Sequence, residues 1–199
     1  MSEMTAAIRD GQQLLVTSPA RAIAARIDPE LWLAWLADPD TRRRYEALVY
    51  RRGPGQCAYW LGAISSTGHA KFRAGSRARA RPDAGSSRIV TAHVYAYQLH
   101  YGALPEAGAG QVVIRHQCDE ASCQNWEDLV IGTQPDNVRD YQARRGREDG
   151  PLADRRGARG RAVAIRDAIR TARRAGTSIE EALHQAITAG IPPHQERLF

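Results

Sequence analysis

The most constraining feature of the sequence is a dense run of metal-capable side chains in its second half. The run reads HQCDEASCQNWEDL from His116 to Leu129. Cys118 and Cys123 flank a short turn, an arrangement that lets two thiolates share one tetrahedral ion. Cys57 lies upstream and could join them across the fold. Soft thiolates with one nitrogen or oxygen ligand favour zinc, so the sequence predicts a zinc site.

Composition limits the class of protein. Three cysteines, an odd number, argue against a disulfide framework. A hydrophobic fraction of 43% is that of a globular protein. We find no apolar run of about 18 residues and no secretory signal near Met1, which predicts a cytoplasmic protein with no membrane partner.

The charge balance favours a polyanionic partner. The formal net charge is +6, and nearly all basic residues are arginine, with Lys71 the sole lysine. Basic surfaces attract nucleic acids because phosphate neutralisation releases counterions. Charge alone does not distinguish DNA, RNA and acidic lipid.

Capping signals predict helices at both ends of the chain. Asp28-Pro29 and Asp38-Pro39 are typical of an N-cap followed by proline at the first helical position. Near the other end, Thr177 and Glu180 form a capping-box pattern. We therefore divide the chain into an N-terminal helical segment, a central core, a basic linker and a C-terminal helical hairpin with a tail, at residues 1–55, 56–147, 148–160 and 161–199.

The central core alternates strand and helix patterns. We expect strands over 57–64 and 70–73, an arginine-rich loop over 75–87, and a strand followed by a helix over 89–102. Strands at 111–114 and 130–131 and a helix over 135–145 follow. This order places His116 at a strand end and Asn137 in the first turn of a helix.

The ordered pattern resembles a known family. It is similar to the His-Cys box and HNH endonucleases of homing, phage and mobile-element type, over roughly residues 57–147. The matching positions are Cys57, Trp60, Gly62, His116, Cys118, Asp119, Cys123, Asn125, Leu129, Gly132, Thr133 and Asn137.

The resemblance implies an α+β fold with a zinc-stapled ββα-metal core, N-terminal helices and a C-terminal helical hairpin. It implies a metal-dependent endonuclease that hydrolyses phosphodiester bonds in double-stranded DNA, leaving a 5′ phosphate and a 3′ hydroxyl. His116 would be the general base that activates water. Asn137 would bind a catalytic divalent ion, magnesium.

The resemblance also assigns the structural zinc. Its ligands would be Cys57, Cys118, Cys123 and Asp128, where the family ordinarily has histidine in place of Asp128. An aspartate oxygen can ligate zinc. Two alternatives stay open: His116 could be the fourth ligand, which would remove it from catalysis, or zinc could be absent.

Several arginines are candidates for nucleic-acid binding. One near the phosphate usually assists catalysis, and others fit phosphate contacts in the basic stretch over 139–174. These candidates are Arg73, Arg88, Arg115, Arg139, Arg144 and Arg145. The two C-terminal helices fit either a DNA-reading helix-turn-helix or a hairpin that packs on itself.

The remaining histidines have no evident partners. His93 lies where the family often has the tripeptide AHR, but Val94 replaces the arginine, and we expect His93 to serve packing or a buried hydrogen bond. We expect the others to be structural or exposed; they are His69, His100, His184 and His194.

The last five residues, QERLF, resemble the peptide by which bacterial DNA-processing proteins bind the sliding clamp. Gln195, Leu198 and Phe199 would make that contact. A homodimer would explain double-strand cleavage. Two rivals remain: an inactive zinc-stapled DNA-binding protein of the same fold, and a recruitment module acting through the tail.

Overall fold

The N-terminal part of the molecule is helical. A computed structural model describes residue 27 and residues 29–75, 87–104 and 112–192. Helix α1 spans Pro29–Ala37 and α2 spans Pro39–Glu46. The Asp38 carboxylate accepts a hydrogen bond from the Thr41 backbone N–H at 3.1 Å, which is the predicted N-cap of α2. Asp28, the other predicted cap, lies outside the described residues.

Two small antiparallel sheets follow. Strands β1 (Val49–Tyr50) and β2 (Tyr59–Trp60) form a pair, and a second sheet has the order β3-β4-β5. Its strands are Ala63–Ile64, Ala70–Ala74 and Arg88–Thr91, and helix α3 (Ala92–Tyr101) continues directly from β5.

The single strand expected over 57–64 is two short strands, β2 and β3. The interruption falls at Gly62, where the Trp60 ring folds over the backbone. A Cβ at Gly62 would lie 2.7 Å from the Trp60 ring nitrogen. A side chain there would therefore displace the tryptophan from the core.

The next unit is a ββα arrangement, as predicted. Strand β6 (Val112–His116) pairs antiparallel with β7 (Leu129–Thr133), with His116 opposite Leu129. Helix α4 (Gln134–Arg144) follows without a loop because Thr133 and Asp136 form a capping box. The predicted α+β class is confirmed.

An aromatic core joins the N-terminal helices to the second sheet. Tyr45 of α2 contacts Trp60, Phe72 and Tyr95, with ring centroids 5.6, 5.4 and 4.9 Å away. Trp35 and Tyr45 are fully buried. Buried aromatic side chains remove large apolar areas from water, so this cluster contributes much of the stabilisation of the fold.

The C-terminal hairpin packs on the first sheet. Helix α5 spans Gly157–Ala175 and α6 spans Ile179–Thr188. The buried side chains of this second core are Tyr59, Leu61, Ile165, Ile169 and Leu183. Gly68, with φ +84°, allows the sheet turn to approach the backbone of Ala158 in α5.

The segment expected to be a linker, 148–160, is largely ordered structure. It contains a 3₁₀ turn at Pro151–Ala153 and the first residues of α5. The physical reason is Asp154, which is buried and accepts hydrogen bonds from Arg156 and Arg161. Composition suggested flexibility, but these charges are paired inside the fold.

Within the described ranges, no helix combines the length and apolar character that a membrane span requires.

Candidate functional site

Four side chains predicted to bind zinc lie together. The ligand atoms of Cys57, Cys118, Cys123 and Asp128 are all within 4.8 Å of one another. Cys57 comes from the segment before β2, the other two cysteines from the turn after β6, and Asp128 from a 3₁₀ helix before β7. These four residues could hold a metal ion, and we call them the metal group.

The turn between the two later cysteines is shaped to bring them together. Asp119 has a φ of +58°, the left-handed conformation that aspartate tolerates better than most residues. The Asn125 backbone N–H donates to the Cys123 sulfur at 3.3 Å, and the Asn125 side-chain amide donates to Asp128 at 3.4 Å. Asn125 therefore orients two members of the group at once.

The donor set fits a thiophilic ion. A hydrogen bond with Cys118 and burial raise the pKa of Cys57, and a hydrogen bond with Cys123 and burial raise the pKa of Cys118. Crowded, buried thiols of this kind become thiolates when a cation compensates their charge. His116 is not a member of the group, which favours the Cys3Asp interpretation over histidine as fourth ligand.

His116 is held in one tautomer at the end of β6. Its Nε2 lies 3.0 Å from the backbone carbonyl oxygen of Cys123. A carbonyl only accepts, so Nε2 carries the proton and Nδ1 presents a lone pair. Burial lowers the pKa of His116 to about 4, so the ring is neutral at pH 7.

Two further histidines lie against His116. The ring centroid of His93 is 4.4 Å from that of His116, and the centroid of His69 is 6.2 Å from it. His93 is 5% exposed, and its Nδ1 has no hydrogen-bond partner among the described residues. Burial and the adjacent His116 and His69 lower the pKa of His93 well below its usual value.

Sequence reasoning missed this histidine cluster of His69, His93 and His116. His93 is buried, as expected, but His69 was expected to have no constellation around it. The pairing of β4 with β5 explains the meeting, since Lys71 pairs with Thr91 and the two histidines lie just beyond that pair, two residues before Lys71 and two residues after Thr91. The long connection between the two strands hides this register from the sequence.

Asn137 lies near the start of α4, as predicted, and is exposed. One turn further on, Asp140 pairs with Arg115 of β6 and, at 3.7 Å, with Arg144. Arg115 crosses β7 over Gly132, where a Cβ would collide with the guanidinium. No residue of α4 is buried. Polar contacts therefore help hold α4 against the β6–β7 pair.

The other nucleic-acid-binding candidates are scattered. Arg144 also pairs with Asp119 at 3.1 Å, and Arg139 pairs with Asp136. The remaining candidates are on the surface: Arg73 donates to the Ser87 hydroxyl at 3.1 Å, Arg88 begins β5, and Arg145 follows α4. Gln195, Leu198 and Phe199, the predicted clamp contacts, lie outside the described residues.

Comparison with known proteins agrees with this geometry. The model of the HNH endonuclease family matches residues 90–139, from β5 to α4, about a quarter of the chain. Protein 7.7 of Escherichia phage T7 is 29% identical over 84 residues, covering 42% of this chain and 53% of that protein. The chain thus spans about half the length of this curated relative.

No solved structure matches the chain. The family match nevertheless covers His93, His116 and Asn137 together with three of the four members of the metal group. The family that this segment resembles consists of endonucleases. Residues 90–139 are therefore similar to the HNH endonuclease family.

Proposed function

We propose that this protein is a metal-dependent endonuclease that hydrolyses phosphodiester bonds in double-stranded DNA. The observation that carries the proposal is the hydrogen bond between His116 Nε2 and the Cys123 carbonyl. It leaves Nδ1 as a neutral acceptor at the end of β6. A neutral imidazole held in one tautomer is suited to take a proton from water.

The reaction follows from that assignment. His116 Nδ1 accepts a proton from water, whose oxygen attacks phosphorus. A new P–O bond forms as the bond from phosphorus to the 3′ oxygen breaks, and the leaving oxygen takes up a proton from solvent. The products are a 5′ phosphate and a 3′ hydroxyl.

The second assignment is that Asn137 is a ligand of a divalent cation, magnesium. When bound, magnesium would stabilise charge on the phosphate and on the leaving oxygen. The Asn137 amide oxygen and the nearby Asp140 carboxylate are hard donors of the kind it prefers. Since Asp140 is already paired with Arg115 and Arg144, we expect the ion to take most of its ligands from water and substrate phosphate.

Zinc would have a separate, structural role in the Cys57, Cys118, Cys123 and Asp128 group. It would tie the segment before β2 to the turn that carries the Cys123 carbonyl. Because that carbonyl orients His116, the structural ion would preserve the position of the base without contacting it.

The zinc assignment makes a prediction for the unusual fourth ligand. Replacing Asp128 with histidine should tighten zinc binding by on the order of tenfold, because imidazole suits zinc better than a single carboxylate oxygen. Asp128→Ala should weaken binding by at least as much. Competition with a chromophoric chelator measures both constants.

The matched control is Gln117→His, which places an imidazole on an exposed residue next to Cys118. It should leave the zinc affinity near that of the wild type. Equal affinities for the wild type, Asp128→His and Asp128→Ala would mean that Asp128 is not a ligand.

The enzymatic proposal is tested on supercoiled plasmid. Zinc-loaded protein should nick or linearise it with added magnesium and not without, and the cut ends should be substrates for ligase, which requires a 5′ phosphate and a 3′ hydroxyl. Omitting magnesium is a better control than EDTA, since EDTA would also compete for zinc. If DNA is bound but never cut under any divalent ion, the inactive DNA-binding alternative replaces this proposal.

The recruitment alternative concerns the tail alone. Deleting residues 195–199 should leave cleavage of naked plasmid unchanged if the tail only binds a sliding clamp. A homodimer, and an origin in a phage or other mobile element, remain further proposals from the family resemblance.

A further inference from the structure

One face of the second sheet is basic and faces outward. Along β4, Ala70, Phe72 and Ala74 are buried, whereas Lys71 and Arg73 are exposed. Across the sheet, Lys71 pairs with Thr91 and Arg73 pairs with Ile89, which is 59% exposed. We call these four outward residues, Lys71, Arg73, Ile89 and Thr91, the basic strip. No acidic residue occurs in β3, β4 or β5.

The basic strip begins at the histidine cluster. Side chains two residues apart on a strand share a face, so His69 leads into the same row as Lys71 and Arg73. Successive members of that row are about 6.8 Å apart, which puts Arg73 roughly 14 Å from His69 along the strand. The row thus starts beside His69 of the histidine cluster and extends along β4 away from it.

Three arginines of the ββα unit are arranged differently. Arg115, Arg139 and Arg144 each pair with an aspartate of the chain, and these pairs hold α4 and its surroundings together. The two strands of the basic strip, β4 and β5, contain three exposed cations, Lys71, Arg73 and Arg88, and no carboxylate. Uncompensated positive charge beside an exposed aliphatic side chain fits a phosphate backbone with its sugars.

We propose that the basic strip binds the sugar-phosphate backbone of duplex DNA on one side of the phosphate that is cut. Lys71 and Arg73 each contact a phosphate, and Ile89 packs against a sugar. The proposal takes its substrate, duplex DNA, from the proposed function. It adds where the DNA on one side of the cut would bind. Binding through phosphates carries no base specificity, so the strip contributes affinity and orientation.

The test is the salt dependence of binding. A fluorescent duplex of about 20 base pairs is titrated with zinc-loaded full-length protein, without magnesium, between roughly 50 and 250 mM salt. Lys71→Ala and Arg73→Ala should each reduce the slope of log affinity against log salt by about one, and the double variant by about two. Lys71→Arg should restore the wild-type slope, because it keeps the charge.

Arg174→Ala is the matched control. Arg174 is an exposed arginine in the last turn of α5. It lies about 24 Å along the helix from Ala158, which contacts the turn beside His69. Its removal should leave the slope unchanged. All three mutated positions are exposed, so the circular dichroism spectra and melting temperatures should match the wild type.

The outcomes separate this proposal from the enzymatic one. Unchanged slopes in the double variant would overturn it even if the protein cuts DNA. Reduced slopes would support it even if the wild type never cuts, in which case only the nuclease assignment fails. If the double variant instead changes the oligomeric state while the slope stays constant, the strip contacts a second copy of the chain and the proposal is wrong.

Discussion

Replacing His116 with alanine should lower the rate of plasmid cleavage by about 10²–10⁴-fold while leaving DNA affinity nearly unchanged. The reason is that the imidazole takes a proton in the reaction but contributes little to phosphate binding. Initial rates at saturating DNA, compared with binding constants measured without magnesium, separate the two effects. A drop in the rate constant at unchanged affinity identifies a group that acts in the transition state.

His184→Ala is the control, since His184 is an exposed residue of α6 and lies on the C-terminal hairpin. It should retain full activity. Zinc content and melting temperature must be measured for the His116 variant too, because its ring also binds the Cys123 carbonyl. If the variant keeps its zinc and its fold and still cuts at the wild-type rate, His116 is not the base.

Removing the guanidinium of Arg161 should destabilise the fold by about 3–5 kcal/mol, the usual cost of leaving one partner of a buried ion pair uncompensated. Arg161 is 4% exposed and donates to Glu120, 1% exposed, at 2.7 Å. It also contacts Asp154 at 3.3 Å. We expect Arg161→Met to lower the melting temperature by roughly 6–20 °C, as measured by calorimetry.

The double variant with Glu120→Gln should recover part of this loss, because Glu120 is then no longer a buried charge without a partner, whereas the buried Asp154 keeps its ion pair with Arg156. Arg159→Met, an exposed change on the same helix, should stay within about 0.5 kcal/mol of the wild type. Glu120 lies between Cys118 and Cys123, so Arg161→Met should also weaken zinc retention. Wild-type stability of Arg161→Met would contradict a structural role for the pair.

This ion pair bears on the role of the C-terminal hairpin. Because α5 contributes a buried arginine to the turn that carries two of the cysteines, the hairpin supports the metal group directly. The apolar faces of α5 and α6 are buried on each other and on the first sheet. The hairpin therefore belongs to the same packed unit as the metal group, although the composition of the preceding segment suggested a flexible linker.

Local signals predicted much of the architecture. The Asp38 cap, the ββα order and the position of Asn137 near the start of a helix depend on short-range capping and periodicity, which a sequence displays directly. The grouping of Cys57 with Cys118, Cys123 and Asp128 followed from family spacing. Each of these inferences depended either on residues close together in the sequence or on a motif whose spacing is known from the family.

Long-range pairing was beyond the reach of the same reasoning. The meeting of His69 with His93 depends on the register of two strands joined by a long connection, and no residue near either histidine encodes that register. The burial of Arg161 against Glu120 is similar, since an arginine in a basic helix usually faces solvent.

By itself, then, the sequence determined the chemical character of the site: its thiols, its base candidate, its helix-borne amide and its basic charge. Only the tertiary structure decided which cations are already paired with aspartates, which face of β4 is open, and which histidines surround His116. The physical reason is that residue type and local spacing set what a side chain can do. Which side chains meet depends instead on strand register and helix packing, which are settled by burial across the whole fold.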